Sequence, residues 1–322
     1  ERYRGGLGGE VTYNARVVEI LVENHRAAGG VRLSDGTELR ADIVVSACDG
    51  RTTLLDLLKG RYLTDTYREL YTRTITEPDM VFPGYLTVFL GGLRRPFPDG
   101  EPCTTYLLED AVAKRLTGIR HSSVNVQFRS RHYPELSPPG TSVVYATYFC
   151  DIAPWRELST GPEQFTRIRR GEELHTLPVG RGREYQRAKR QVRDTIVDFL
   201  DERHPGLRDA IAVRDVSTPL TQVRYTGNYN GTVLGWQPFV DSGETVEQEV
   251  KRHGPGLPGL ADFYLSGVWA TTGGLIRAAA SGRHVMHFVC RDDGRPFTAA
   301  VDDSAPPLPP EQLIEPAGAT PP

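Results

Sequence analysis

Lysine is scarce in this chain. It occurs only at Lys59, Lys114, Lys189 and Lys251, against 38 Lys and Arg together, and the net charge is −3. Arginine therefore carries nearly all the positive charge, and the slight acidic excess leaves no electrostatic case for nucleic acid. Cysteine is equally sparse. Cys48, Cys103, Cys150 and Cys290 are scattered, with no CxxC spacing and no paired histidine. That argues against a zinc site or a disulfide scaffold, and for a reducing, cytoplasmic compartment. No apolar run approaches the roughly 18–20 residues that cross a bilayer, and no signal peptide is visible. An initiator Met is missing as well: the chain opens Glu1-Arg2-Tyr3 and runs into glycines, the start expected of a fragment or a processed product. What is present, 322 residues at 39% hydrophobic and 25% charged, suits a globular protein with one large core or two moderate ones.

Along the chain, residues 9–50 read as alternating structure. Glu10–Tyr13 and Val17–Val22 are strand-like. Val31–Leu33 leads through the tight-turn signal Ser34-Asp35-Gly36 to Thr37–Arg40, and the apolar run Ile43–Ala47 suits a buried strand. A short helix is expected over Arg51–Leu58. Ser123–Phe128 and Ser142–Phe149 alternate apolar and polar positions, as strands of an antiparallel sheet with one packed face do. Residues 151–182 read as irregular, with arginines at 167, 169, 170, 181 and 183. That cluster reads as solvated loop charge, and contact with phosphate or a membrane surface is the other option. Tyr185–Arg203 is the clearest helix: Val192, Ile196, Phe199 and Leu200 share one face, and His204-Pro205-Gly206 ends it. Seven prolines between Pro306 and Pro322 predict a disordered tail.

The chain is organised around Asp262–Arg283. Phe263-Tyr264-Leu265 suits a buried strand, Ser266-Gly267 ends it, and Thr271-Thr272-Gly273-Gly274 makes a turn. A helix follows from Leu275, with Thr272 as the expected N-cap. A strand, a glycine turn and a helix start together aim free N–H groups and a positive dipole end at one spot, which favours an anion or an electron-rich carbonyl. An ordinary β-α connection explains the same glycines equally well.

Ser266-Gly267, Trp269, Gly273-Gly274 and Ser281-Gly282-Arg283 together resemble the C-terminal flavin motif of the phytoene desaturase and retinol saturase-like flavoproteins, in the amine oxidase superfamily. Gly8-Gly9-Glu10-Val11 with Asn14 and Val17 resembles a second family segment, and Ala41–Ala47 a third. Thr218-Pro219-Leu220-Thr221, Tyr225-Thr226-Gly227-Asn228 and Gly231…Gly235-Trp236 resemble a fourth. The family places Pro and three glycines where this chain has Thr271–Gly274.

The resemblance implies an α/β (α+β) fold: the C-terminal part of a Rossmann-like FAD-binding domain, with an inserted antiparallel-sheet substrate domain. It implies FAD held by Val17, Ala47, Gly267, Thr272, Gly273, Gly274 and Leu275. The loop carrying Tyr225, Gly227 and Trp236 is expected to form a wall of the substrate pocket. Residues 1–58 and 255–297 would make the partial FAD domain, 59–254 the substrate domain, and 298–322 the tail. The GxGxxG turn that opens such proteins is read nowhere in the chain; Gly5–Gly9 is glycine-rich but follows no strand and leads into one. The chain thus reads as an oxidoreductase portion, inactive alone, acting in its intact form on a carbon–carbon bond of an apolar polyene or isoprenoid. No catalytic acid, base or metal ligand is selected. A peripheral membrane contact stays open, as do two other readings: a non-catalytic, FAD-free remnant, and a flavin amine oxidase.

Overall fold

The structure, a computed structural model, describes residues 2–94, 103–111, 113, 123–131, 133–159, 164–167, 173–177, 182–237, 241–271 and 273–298. It begins with an antiparallel meander of β1 (Val17–Glu23), β2 (Arg26–Leu33) and β3 (Glu38–Leu39). Asn24 and His25, both at positive φ, make the first turn. Glu10–Tyr13 forms no strand: Asn14 takes φ 57° just after it, and pairing starts only at Val17, opposite Leu33. β4 (Val44–Ser46) pairs in parallel with Phe263–Leu265, near the other end of the chain. The run Ile43–Ala47 is buried only at alternate positions: Val44 and Ser46 face the core, while Val45 is 48% exposed. One covered face preserves the period of two that a strand covered on both faces would lose. A helical turn over Thr52–Leu57 follows, then α1 (Asp65–Thr76), capped by the Thr64 hydroxyl accepting the Tyr67 N–H at 3.2 Å.

The alternating stretches form the main sheet. Among the described residues it holds β5 (Gly84–Leu93), β6 (Cys103–Leu107), β7 (Ser123–Phe128), β8 (Ser142–Cys150) and, from later in the chain, β11 (Val213–Ser217). The order is β11-β5-β8-β7-β6, with every neighbour antiparallel. Leu86, Val88, Leu90, Val124, Val126, Val144, Ala146 and Tyr148 line its packed face. After β8 come α2 (Ala153–Glu157) and a strand pair, β9 (Gln164–Arg167) with β10 (Glu173–Leu177), within the stretch expected to be irregular. Arg169, Arg170 and Arg181 fall outside the described residues. α3 (Arg183–Arg203) covers the sheet with Tyr185, Val192, Ile196, Val197 and Leu200. Burying each large apolar side chain contributes on the order of 1.5–3 kcal/mol.

α4 (Leu207–Ala210) leads into β11, and α5 (Pro219–Thr226) follows that strand. Thus the first part of the expected loop is helical. Thr218 and Thr221 close a reciprocal capping box, Pro219 opens the helix, and Gly227 caps its end at φ 72°. The chain continues with α6 (Asp241–His253), β12 (Phe263–Leu265, the partner of β4) and α7 (Leu275–Asp292). A second core joins Ile20, Val44, Phe263 and Leu265 to Leu54, Leu70, Tyr71, Val81, Trp236 and Val246. It therefore draws on residues beyond the expected boundaries at 58/59 and 254/255. The proline-rich tail, from residue 299 onward, lies outside the described residues. Among the described residues no helix is long and apolar enough to cross a membrane.

Candidate functional site

β4 and β12 end side by side. The Ser266 N–H donates to the Ser46 carbonyl at 2.8 Å, and Gly267, at φ 84°, turns beside the Ala47 backbone. The buried Ser281 of α7 ties this turn down. Its hydroxyl accepts the Gly267 N–H at 2.8 Å, pairs with the Ser266 hydroxyl at 3.0 Å and donates to the Ala278 carbonyl at 2.6 Å. Val17, at the start of β1, packs against the same core.

The helix begins at Leu275 as expected, but its N-cap is Gly274, at φ 126°, with no side-chain cap. Thr272 lies outside the described residues. The first internal bond runs from the Ala278 N–H to the Gly274 carbonyl, so the Leu275 and Ile276 amides have no acceptor within the helix. Both side chains stand in the open, 82% and 85% exposed. Among the described residues nothing lies within 4 Å of where a Gly274 Cβ would be.

Three other glycines of the motifs, Gly231, Gly235 and Gly273, answer to protein and not to an open cradle. A Cβ on Gly273 would collide with the Leu234 carbonyl and meet the Phe82 ring at 2.7 Å. One on Gly235 would collide with the Val268 carbonyl, and one on Gly231 with that of Pro219. The expected pocket wall divides accordingly. Tyr225 is 77% exposed on α5, Gly227 is a helix cap, and Trp236 is fully buried. Trp236 packs between Tyr71, at 5.3 Å between centroids, and Trp269, at 5.4 Å. Trp236 is therefore core, set behind the turn.

Three residues outside the expected set hold this region together: Ser281, Asn228 and Asp49. Asn228 accepts the Trp269 indole N–H at 3.3 Å. Asp49 accepts the backbone N–H of Thr52 and of Tyr229, each at 2.9 Å. Burial pushes the Asp49 carboxyl above its ordinary range, against the pull of those N–H bonds. All three sit inside or beside the recognisable segments, where only the glycines and aromatics draw attention.

Next to Gly273, Phe82 starts an aromatic stripe on the less covered face of the main sheet. Phe82 lies 5.9 Å from Phe149, Phe149 lies 4.7 Å from Tyr85, and Phe89 lies 5.3 Å from Tyr145 further along. At about 3.4 Å per residue, Tyr85 to Phe89 spans roughly 14 Å. A cavity of about 310 Å³ lies between α6 and α7, touching Val250, Thr271, Ala280 and Ser281.

The spacing GxGxxG does occur once, at Gly254, Gly256 and Gly259. It follows helix α6 and precedes strand β12, the reverse of a dinucleotide-binding turn.

Residues 3–208 match the family described as flavin containing amine oxidoreductase, and the chain belongs to that family. Within it, the chain is a phytoene desaturase-like member. It is 26% identical to the chloroplastic prolycopene isomerase of Daucus carota, over 70% of this chain and 32% of that protein. Prolycopene isomerase 2 of an Oncidium hybrid cultivar is 25% identical over 92% of this chain and 45% of its own length. The lycopene-forming phytoene desaturase of Pseudescherichia vulneris is 27% identical over 66% and 38%. The chain thus spans less than half the length of each of these relatives.

Proposed function

We propose that this chain supplies the ring side and the substrate side of a FAD-dependent oxidoreductase acting on a carbon–carbon bond of a polyene or isoprenoid. The observation that carries the reading is continuity: the bare start of α7 meets the aromatic stripe through the contact of Gly273 with Phe82. The residues fit the ring end of a flavin. The Leu275 and Ile276 amides, without acceptors in the helix, and the positive end of the α7 dipole suit an electron-rich ring edge. Gly274 leaves room for it. Gly267 and Ala47 form the adjoining backbone wall, and Val17 belongs to the adenosine side by family likeness. When bound, FAD would supply hydride exchange with the substrate. The two aromatic groups, Phe82-Phe149-Tyr85 and Phe89-Tyr145, parted by the Thr87–Thr147 hydroxyl pair, would hold an extended apolar chain and keep water from it. The relatives named for isomerisation and for desaturation make both outcomes candidates for the same pocket.

The 322 residues carry no diphosphate turn in its proper setting. Missing several charge-assisted bonds of about 1.5–3 kcal/mol each weakens FAD binding by orders of magnitude. The chain alone is expected to purify colourless and without oxidoreductase activity. Joined to a βαβ segment with a glycine turn, it is expected to turn yellow. The visible spectrum of both forms tests this: stoichiometric FAD on the short chain overturns the weak-binding account, and no FAD on the extended one overturns the flavin site.

A further inference from the structure

We infer that Asp49 is a positioning residue, whose two carboxylate oxygens lock the Asn228-Tyr229 turn to the end of β4 and so fix the stance of Trp269. The importance of that stance rests on the flavin reading above; the lock itself is a matter of geometry. Oδ1 accepts the Thr52 N–H and Oδ2 the Tyr229 N–H, 180 residues away. Asp49 is only 4% exposed. A residue that merely capped the helical turn at Thr52 could be Ser or Thr, with no charge to bury. Two N–H donors from separate segments call for an acceptor-only group with two oxygens.

The neighbours transmit the constraint. Next to Tyr229, Asn228 holds the Trp269 indole through Oδ1 and donates through Nδ2 to the Thr232 carbonyl at 2.9 Å. The Arg51 guanidinium lies 5.3 Å from the centre of the Tyr229 ring, and the Tyr229 hydroxyl reaches the Thr74 carbonyl at 3.4 Å. Next to Asp49, a Cβ on Gly50 would meet Trp269 Cβ at 3.1 Å. Two stretches distant in sequence, around Asp49 and around Tyr229, thereby meet on one carboxylate, and Trp269 of a third rests on their neighbours Asn228 and Gly50.

The test is amide exchange followed residue by residue by NMR, on the wild type and on Asp49→Ser, which keeps a cap for Thr52 but loses the second oxygen. The expected result is exchange at least tenfold faster at the Tyr229 amide and the Trp269 indole, with the sheet amides of Val88 and Ala146 unchanged. Unchanged protection at Tyr229, or loss only in step with the sheet, overturns the lock. Should the variant not fold, the wild type decides. Burial raises the Asp49 carboxyl against the N–H bonds of Thr52, Tyr229 and Arg51, and its charge in turn raises the buried Tyr71. The Thr52 and Tyr229 amide shifts must move together with pH, at one midpoint above the ordinary aspartate value. Independent or absent movement overturns the lock. Neither measurement uses flavin, so failure here and failure of the flavin reading are separate outcomes.

Discussion

Removing the Ser281 hydroxyl tests how the turn between β12 and α7 is held. In Ser281→Ala, the Gly267 N–H loses its acceptor at 2.8 Å, the Ser266 hydroxyl loses a partner, and the Ala278 carbonyl loses a donor. A buried donor left unsatisfied costs about 1–3 kcal/mol. At an unfolding entropy of about 2.1 cal/mol/K per residue, each kcal/mol lowers the melting temperature of a chain of this size by about 1.5 °C. A loss near 2 kcal/mol therefore lowers it by about 3 °C. Thermal unfolding followed by circular dichroism reads the total, and Gly267 amide exchange reads the local opening. Ser266→Ala, alone and combined, gives the coupling: the double variant should cost less than the sum of the singles, because both remove one shared bond. A melting temperature within about 1 °C of wild type, with Gly267 still protected, would refute the account and mean that another acceptor serves that amide.

Leu275→Glu should leave the fold intact, since the side chain is exposed and an acid suits a helix start. It should weaken FAD binding at least tenfold in the extended form, as read by absorbance titration; unchanged affinity would remove the α7 start from the site. Tyr264 donates to Asp292 at 2.7 Å and holds that carboxyl below its ordinary value of 3.8. Its contribution to stability is present above that value and lost as pH falls. Tyr264→Phe should therefore lose less stability than wild type between pH 7 and pH 3 in urea titrations, and an equal loss would contradict the assignment. Gly235→Ala, which would drive Cβ into the Val268 carbonyl at φ 72°, should cost at least about 1–3 kcal/mol, the cost of overpacking. Gly36→Ala, in open space at φ 88°, should cost only about 1 kcal/mol. Equal urea midpoints would refute the packing argument.

The sheet and α3 were legible because one face is dry and the other is not, which writes a period of two or of 3.6 into the sequence. The β12–turn–α7 unit was legible from its glycines and small residues. α1 and α6 were not. α6 buries Val246 and Glu249 amid charged neighbours, and α1 buries Tyr67, Leu70, Tyr71 and Thr74, too mixed a face to stand out. α5 did carry its signal, Thr218-Pro219 with Thr221 three residues on, but the glycines after it drew the whole stretch towards a loop reading. Glycine itself was ambiguous. Gly274 faces open space, whereas Gly231, Gly235 and Gly273 face other backbone, and composition cannot tell the two apart.

The tryptophan pair gives the protein an optical gauge of its own. Trp236 and Trp269 stand edge to face behind the turn, whereas Trp155 lies in the other core, its indole N–H on the Cys150 sulfur at 3.1 Å. Isoalloxazine absorbs where indole emits, so a flavin arriving at the α7 start would dim the pair by energy transfer. Replacing Trp155 with Phe would leave an emission that reports on the site alone, and cofactor arrival could then be timed in a stopped-flow instrument without any label.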